Sequence, residues 1–110
     1  MSAKDFNTDH LDSGKRLANS ITKWLTERLG EAPSGGGCRA FYSPKEWKER
    51  GESYGTNSKL ILCHDGGDLA AYCNYDYGNY KGIDAFDKFM RSKGYYVECC
   101  TSWYSAVYKL

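Results

Sequence analysis

An apolar residue at every fourth position of residues 17–29 is the feature that most constrains this fold. Leu17, Ile21, Leu25 and Leu29 recur at that spacing, and an alanine and a tryptophan widen the stripe. Because an α-helix turns once in about 3.6 residues, these side chains share one face. A helix of this kind must cover an apolar surface, and in a mixed chain that surface is one face of a sheet.

Two further segments have helical signals, and residues at their ends mark where they begin and stop. Asp12 or Ser13 is expected to cap the first helix, which Gly30 ends. Ser43 begins a short second helix, since Pro44 follows it and a glutamate three residues later completes a capping box. A third amphipathic helix is predicted over 83–93, with Gly94 as its terminator.

The segments between and after these helices are predicted to be short strands, bounded by glycine-rich and polar loops. Five strands are predicted: one from Cys38 to Tyr42, Lys59–Cys63, its hairpin partner Leu69–Asn74, and two at 95–100 and 103–110. The order α-β-α-β-β-α-β-β predicts a single α+β domain, a mainly antiparallel sheet packed against two or three helices. Residues 1–10 are expected to be a disordered lead, and residues 11–110 the domain.

Cysteine usage and charge limit the cellular setting. The five cysteines, at positions 38, 63, 73, 99 and 100, form no CxxC pair, and the polar N-terminus lacks a signal-peptide stretch. Free thiols in a reducing compartment are therefore expected, which predicts a cytoplasmic protein. The net charge of +1, and the lack of a long apolar run, argue against nucleic acid and membranes as partners of the whole molecule.

The stretch LCHDGGDLAAYC, residues 62–73, raises the question of a metal site or a tight turn. Successive side chains on a strand point to opposite faces, so Cys63 and His64 would not face the same metal ion. A zinc site would have to assemble from distant residues: Cys38, Cys63, Cys73 and His64. We favour the turn, because Gly66 and Gly67 supply the backbone freedom of a hairpin loop. No metal or cofactor is expected.

A cysteine-dependent hydrolase or transferase is the catalytic alternative. Cys38 would be the nucleophile, His64 its base, and Asp65 or Asp68 the residue that orients the base. An activated cysteine usually lies at a helix N-terminus, whereas Cys38 is expected at the start of a strand. The prediction therefore leans away from an enzyme.

The most unusual stretch is YCNYDYGNY, residues 72–80, in which tyrosines alternate with small polar residues. Antibody binding loops have this composition, because tyrosine supplies wide contact area at low entropic cost. The alternative is that the tyrosines close the rim of the core. With the neighbouring aspartates, the predicted protein-binding residues are Asp65, Asp68, Tyr72, Tyr75, Asp76, Tyr77, Tyr80 and Asp84.

The charge of this region predicts the chemistry of its partner. Residues 64–87 contain five aspartates and one lysine, a formal charge of −4. Nucleic acid would be repelled, whereas a basic protein surface would be attracted to the acids and would pack on the tyrosines. The sequence therefore predicts a non-catalytic module that binds a basic protein, for example one that handles nucleic acid.

A nucleic-acid-binding module is the third hypothesis, and it uses the basic residues of the first two helices. These are Lys15, Arg16, Lys23, Arg28, Lys45, Lys48 and Arg50. Four glutamates on the same helices dilute the charge, so a solvated face of mixed charge is the preferred interpretation.

Two stretches, SGGGCRAFYSPKEW and CTSWYSAVY, resemble segments of small proteins encoded by bacteriophages and prophages. The resemblance covers only residues 34–47 and 100–108, and it brings no activity, cofactor or site residue. It implies an accessory viral protein in a bacterial cytoplasm. An inhibitor of a host defence or nucleic-acid enzyme would be consistent with that origin.

Overall fold

A computed structural model describes residues 6–36 and 38–110. The four helices are α1 (Lys15–Leu29), α2 (Pro44–Glu49), α3 (Ala70–Cys73) and α4 (Tyr80–Ser92), with a 3₁₀ turn at Tyr75–Tyr77. The four strands are β1 (Phe41–Tyr42), β2 (Leu60–Cys63), β3 (Tyr95–Cys99) and β4 (Tyr104–Lys109). The predicted single α+β domain is confirmed. In the described part of the chain, no helix is long and apolar enough to cross a membrane.

The strands form one antiparallel sheet in the order β1-β2-β4-β3. Leu62 lies opposite Phe41 on one side and opposite Ser105 on the other, so β2 is paired along both edges. Consistent with this central position, all four side chains of β2 are buried. The hairpin β3-β4 closes the other end of the sheet, with Val97 opposite Val107.

The two faces of the sheet carry separate apolar clusters, because alternate residues of each strand point to opposite sides. Leu60 and Leu62 lie on the face covered by α1, α3 and α4, and this cluster is called the main core. Ile61 and Cys63 lie on the other face with Trp47 of α2, in a smaller cluster that is called the second core. The helices therefore cover both faces of the sheet.

Helix α2 begins as its sequence predicts. The Ser43 hydroxyl accepts a hydrogen bond from the Glu46 amide at 3.1 Å, and the Glu46 carboxylate accepts one from the Ser43 amide at 3.0 Å. This reciprocal capping box holds the short helix over the sheet and directs Trp47 into the second core.

The predicted strand Leu69–Asn74 is wrong, because this segment contains helix α3. Both edges of β2 are already paired, so no position beside β2 is open for a further strand. The segment instead closes helical hydrogen bonds, including one from the Asn74 amide to the Ala70 carbonyl at 2.8 Å. Helix α4 also begins before position 83, at Tyr80, where the Asn79 side chain accepts from the Gly82 amide. The sheet accordingly has four strands.

The N-terminal segment also differs from its prediction. Residues 1–5 of the expected disordered lead lie outside the described residues, but Phe6 is 1% exposed and packs edge-to-face on Phe41. The His10 ring hydrogen-bonds the Phe41 carbonyl at 3.0 Å. Phe6 thus belongs to the main core, and Thr8 is also buried, whereas Asn7 and Asp9 are exposed.

The start of α1 is set by a glycine and not by the predicted side-chain cap. Gly14 occupies the N-cap position with φ 76°, and no side chain caps the helix there. A β-carbon at Gly14 would lie 2.9 Å from the Lys59 carbonyl oxygen, so the close approach of the backbone requires glycine. Asp12 interacts with the Ser43 hydroxyl instead, which lowers the pKa of the Asp12 carboxyl.

Candidate binding groove

The glycine pair after β2 forms a tight turn that leads into α3. Gly66 has φ 79°, and a β-carbon on Gly67 would lie 2.6 Å from the Gly35 carbonyl carbon. Ser34 and Asp68 fasten the two loops together: the Ser34 amide donates to the Asp68 carboxylate at 2.7 Å, and the Asp68 amide donates to the Ser34 carbonyl at 2.8 Å. The turn prediction holds for Gly66, but the turn joins a strand to a helix.

His64 lies in the interior at the end of β2. It is 1% exposed, and its Nε2 hydrogen-bonds the Ser105 hydroxyl at 2.9 Å. The other ring nitrogen, Nδ1, is buried without a hydrogen-bond partner. Burial lowers the pKa of His64 to about 4, despite the opposing effects of its own backbone and of the Asp65 carboxylate. His64 is therefore neutral at pH 7.

The residues of the catalytic alternative, Cys38, His64 and Asp65, lie in different surroundings. Cys38 precedes β1 and packs beside the second core, where its thiol donates to the Gly35 carbonyl at 3.0 Å. His64 instead bonds Ser105, which lies opposite Leu62 and hence on the main-core face. Asp65 is exposed. These hydrogen bonds of the two side chains are therefore different ones, to Gly35 for the Cys38 thiol and to Ser105 for the His64 ring.

The four residues considered for zinc do not converge either. Among residues 6–36 and 38–110, no group of three or more His, Cys, Asp or Glu side chains could hold a metal ion. Cys63 belongs to the second core and Cys73 to the main core. Burial, the largest cause, raises the pKa of Cys63 to about 12 and raises that of Cys73 as well. Both thiols are protonated at neutral pH.

A groove of about 290 Å³ lies between α3, the 3₁₀ turn, α4 and β3. Its lining combines aromatic rings, aliphatic side chains, two carboxylates and two thiols: Tyr72, Cys73, Tyr75, Tyr80, Ile83, Asp84, Phe86, Asp87, Val97 and Cys99. Four of the predicted binding residues, Tyr72, Tyr75, Tyr80 and Asp84, are thus brought together. We call this site the tyrosine groove.

Three of the four predicted tyrosines are on the surface. Tyr75, Tyr77 and Tyr80 are 59%, 53% and 65% exposed, respectively. Tyr72, the fourth, is 8% exposed and lies mostly in the interior. Its position on α3 turns the ring toward α1, where it meets Trp24 edge-to-face at 5.5 Å between centroids and lies under the Arg28 guanidinium. Tyr72 forms the inner wall of the tyrosine groove.

The aspartates divide between this groove and its surroundings. Asp84 and Asp87 line it, and each forms an ion pair one turn along α4: Asp84 with Lys88 and Asp87 with Arg91, both at 3.0 Å. Asp76 is exposed on the neighbouring 3₁₀ turn. Asp65 and Asp68 do not line the groove. The Asp68 carboxylate accepts the hydrogen bond from the Ser34 amide that joins the two loops.

Sequence reasoning missed several members of the lining. Asp87 lies three residues after Asp84, and that helical spacing was a signal that the two carboxylates share a face of α4. Val97 and Cys99 come from β3, and no local pattern in the sequence connects them with the tyrosines.

The basic residues of α1 and α2 do not form one patch, because the two helices cover opposite faces of the sheet. A smaller basic groove does exist beside α1. It consists of two adjoining hollows of about 290 and 300 Å³, which share Ser20 and Lys93; Arg16 and Lys23 supply further positive charge, and Glu27 is the one acidic residue of the lining. Among the described residues, none of these three cations forms an ion pair.

Comparison with known proteins gives no functional assignment, so the basis for one is the geometry of the two grooves. No family model matches the chain, and neither curated proteins nor solved structures give a match.

Proposed function

We propose that this chain is a non-catalytic protein-binding module that engages a basic surface through the tyrosine groove and its rim. The observation that carries the proposal is the exposure of Tyr75 and Tyr80 in a recess with two carboxylates in its wall, with Tyr77 exposed on the same 3₁₀ turn as Tyr75. Exposed aromatic rings of this kind are common anchors of binding interfaces, since they bury large areas and have few rotatable bonds.

The ion pairs of α4 do not prevent this function. Asp84 and Asp87 are 61% and 42% exposed, and exposed pairs four residues apart on a helix contribute only about 0.3–0.5 kcal/mol. A partner cation can therefore replace Lys88 or Arg91 at small cost. The carboxylates then steer the encounter, and the tyrosines supply the contact area.

The partner that fits this surface is a protein with a basic face. Proteins that handle nucleic acid commonly have such faces. The resemblance of residues 34–47 and 100–108 to phage and prophage proteins makes a bacterial host protein of this kind, or a defence protein, the target that we propose. The chain would then act as an inhibitor inside the bacterial cytoplasm.

Removal of the exposed rings tests this proposal. We expect the variant Tyr75→Ala/Tyr77→Ala/Tyr80→Ala to retain its circular dichroism spectrum, because these side chains add little to the core. Its capture of a specific protein from bacterial lysate should fall at least tenfold, because several anchors are removed together. The bound protein is quantified by mass spectrometry.

The matched control is Tyr54→Ala. Tyr54 is 65% exposed, as Tyr80 is, but lies in the loop before β2. This variant should capture as much partner as the wild type. Equal capture by the triple variant and by Tyr54→Ala would refute the proposed surface.

The basic groove beside α1 supports a second candidate function, the binding of single-stranded nucleic acid. Its cations alternate with rings, since Trp24 and Phe89 line one hollow and Tyr95 lines the other. Grooves that hold single strands combine such cations with rings on which bases stack. This candidate site differs from the nucleic-acid site expected from the sequence, which used the basic residues of both α1 and α2.

Salt-dependent retention on immobilised single-stranded DNA tests the second candidate. Replacing Arg16, Lys23 and Lys93 by glutamine should lower the slope of log K against log salt by about 0.7 for each phosphate that the variant no longer neutralises. The control replaces Lys45 and Lys48, which are exposed on α2 across the sheet. If both variants elute with the wild type, the groove does not bind nucleic acid.

A further inference from the structure

We infer that the tyrosine groove is an arginine-binding cage: the guanidinium of one partner arginine lies between the rings of Tyr75 and Tyr80 and donates hydrogen bonds to Asp84. This inference rests on the proposed function and narrows it, because it names the side chain that a basic partner must present. Lysine-rich and arginine-rich surfaces are thereby distinguished.

The spacing of the two rings favours a flat cation. The centroids of Tyr75 and Tyr80 are 6.5 Å apart, and the ring planes are inclined by 35°. A planar group that touches both rings needs about 3.5 Å on each side, or about 7 Å between the rings. Both side chains are exposed, so a small rotation opens the required gap. The delocalised guanidinium fits such a gap and stacks well on aromatic faces, whereas the compact, strongly hydrated ammonium of lysine does neither.

The walls of the groove match the rest of an arginine side chain. Ile83, Phe86 and Val97 provide an apolar surface for its methylene groups, which pack readily against such surfaces. Once the guanidinium replaces Lys88 in its exposed ion pair with Asp84, the two carboxylate oxygens suit the paired N–H donors of the arginine. Asp87, one turn further along α4, places a second negative charge on the same wall.

The same chain already holds arginines in this way. The Arg39 guanidinium lies 4.0 Å from the centroid of the Tyr42 ring and also bonds the Glu46 carboxylate at 2.8 Å. Arg28 lies over Trp24 and Tyr72, at 5.4 and 5.6 Å from their centroids. A tyrosine ring combined with a carboxylate is thus an arginine site elsewhere in this protein. The tyrosine groove presents the same combination to a partner.

Three short peptides test the cage: acetyl-Gly-Arg-Gly-amide and its lysine and citrulline analogues. Binding to the full chain is followed by NMR shifts of the tyrosine rings during titration. We expect the arginine peptide to bind at least fivefold more tightly than the lysine peptide. Citrulline keeps the shape of arginine but lacks its charge, so its affinity should fall at least tenfold.

Substitutions in the cage should also weaken binding of the arginine peptide. Tyr80→Ala and Asp84→Asn should each weaken the arginine peptide at least fivefold, whereas Tyr54→Ala should bind it as the wild type does. Equal affinity for arginine and citrulline, or unchanged affinity in Tyr80→Ala, would overturn the cage.

The peptide result and the capture result are independent. If the cage fails while the triple tyrosine variant still loses its partner, the proposed function stands and the partner contacts the groove without an inserted arginine. If the arginine peptide binds as expected while capture is insensitive to the tyrosines, the cage stands and the proposed protein-binding surface fails.

Discussion

Replacement of Trp47 by alanine is expected to lower the free energy of unfolding by about 3–5 kcal/mol, the usual cost of deleting a buried tryptophan side chain. Trp47 is fully buried, and it is the residue through which α2 enters the second core. Small domains are stable by only about 5–15 kcal/mol, so this variant should lose a large fraction of its stability.

The size of this effect follows from the number of rings that Trp47 joins. Its ring centroid lies 5.0 Å from that of Tyr42, 5.7 Å from that of Trp103 and 4.9 Å from that of Tyr104. The Arg50 guanidinium lies over the same indole at 4.7 Å. Since a six-residue helix gains little from its own hydrogen bonds, removal of the indole should also release α2 from the sheet.

Chemical denaturation followed by far-ultraviolet circular dichroism measures this loss of stability. The matched control is Trp103→Ala, because Trp103 is a tryptophan of the same aromatic cluster but only partly buried. It should lose clearly less stability than Trp47→Ala. A larger loss for Trp103→Ala would show that the second core is not centred on Trp47.

The elements that could be predicted from the sequence are those whose signals are local. The four-residue spacing from Leu17 to Leu29 predicted α1, and the Ser43 capping box predicted α2 to within a residue or two. The final two strands were also predicted, because their apolar and aromatic runs are separated by a short polar turn. In each case the deciding interactions lie within a few residues of one another.

The errors arose where distant contacts decide the structure. Leu69–Asn74 has the composition of a buried strand, but β1 and β4 occupy both edges of β2, so the segment forms α3. Phe6 lies in a polar stretch that is typical of a disordered lead, and its packing on Phe41 depends on where the sheet ends. Neither the helix α3 nor the packing of Phe6 could be predicted from the residues next to it in the sequence.

In the candidate site, too, features with a local sequence signal could be predicted and features set by distant contacts could not. Loop composition around Tyr75 and Tyr80 correctly indicated exposed rings, and Asp84 follows closely enough in sequence to be included. The face of the sheet on which each side chain of β2 lies depends on strand register, however, and register is set by pairing with β1 and β4. The surroundings of Cys38 and His64 likewise depend on contacts between distant parts of the chain, which no local pattern reveals.

Acidification is expected to destabilise this protein through His64. Its pKa is about 4 in the folded state because the ring is buried, whereas an exposed histidine in the unfolded chain has a pKa of about 6.5. As the pH falls below 6.5, the unfolded state binds a proton that the folded state does not. Stability is therefore complete above pH 6.5 and declines toward pH 4. The total loss is about 3 kcal/mol, at about 1.36 kcal/mol for each unit of difference in pKa.

The variant His64→Gln isolates this contribution from that of the carboxyl groups, which also titrate in acid. Glutamine does not titrate in this range, and its amide can keep a hydrogen bond to the Ser105 hydroxyl that Nε2 of His64 now contacts. The free energy of unfolding of both proteins is measured by urea denaturation between pH 7.5 and 4. The wild type should lose about 3 kcal/mol more than the variant over this range, because burial of the ring disfavours its charged form in the folded state. Parallel pH profiles would mean that His64 accepts a proton in the folded state, and hence that its ring is open to water.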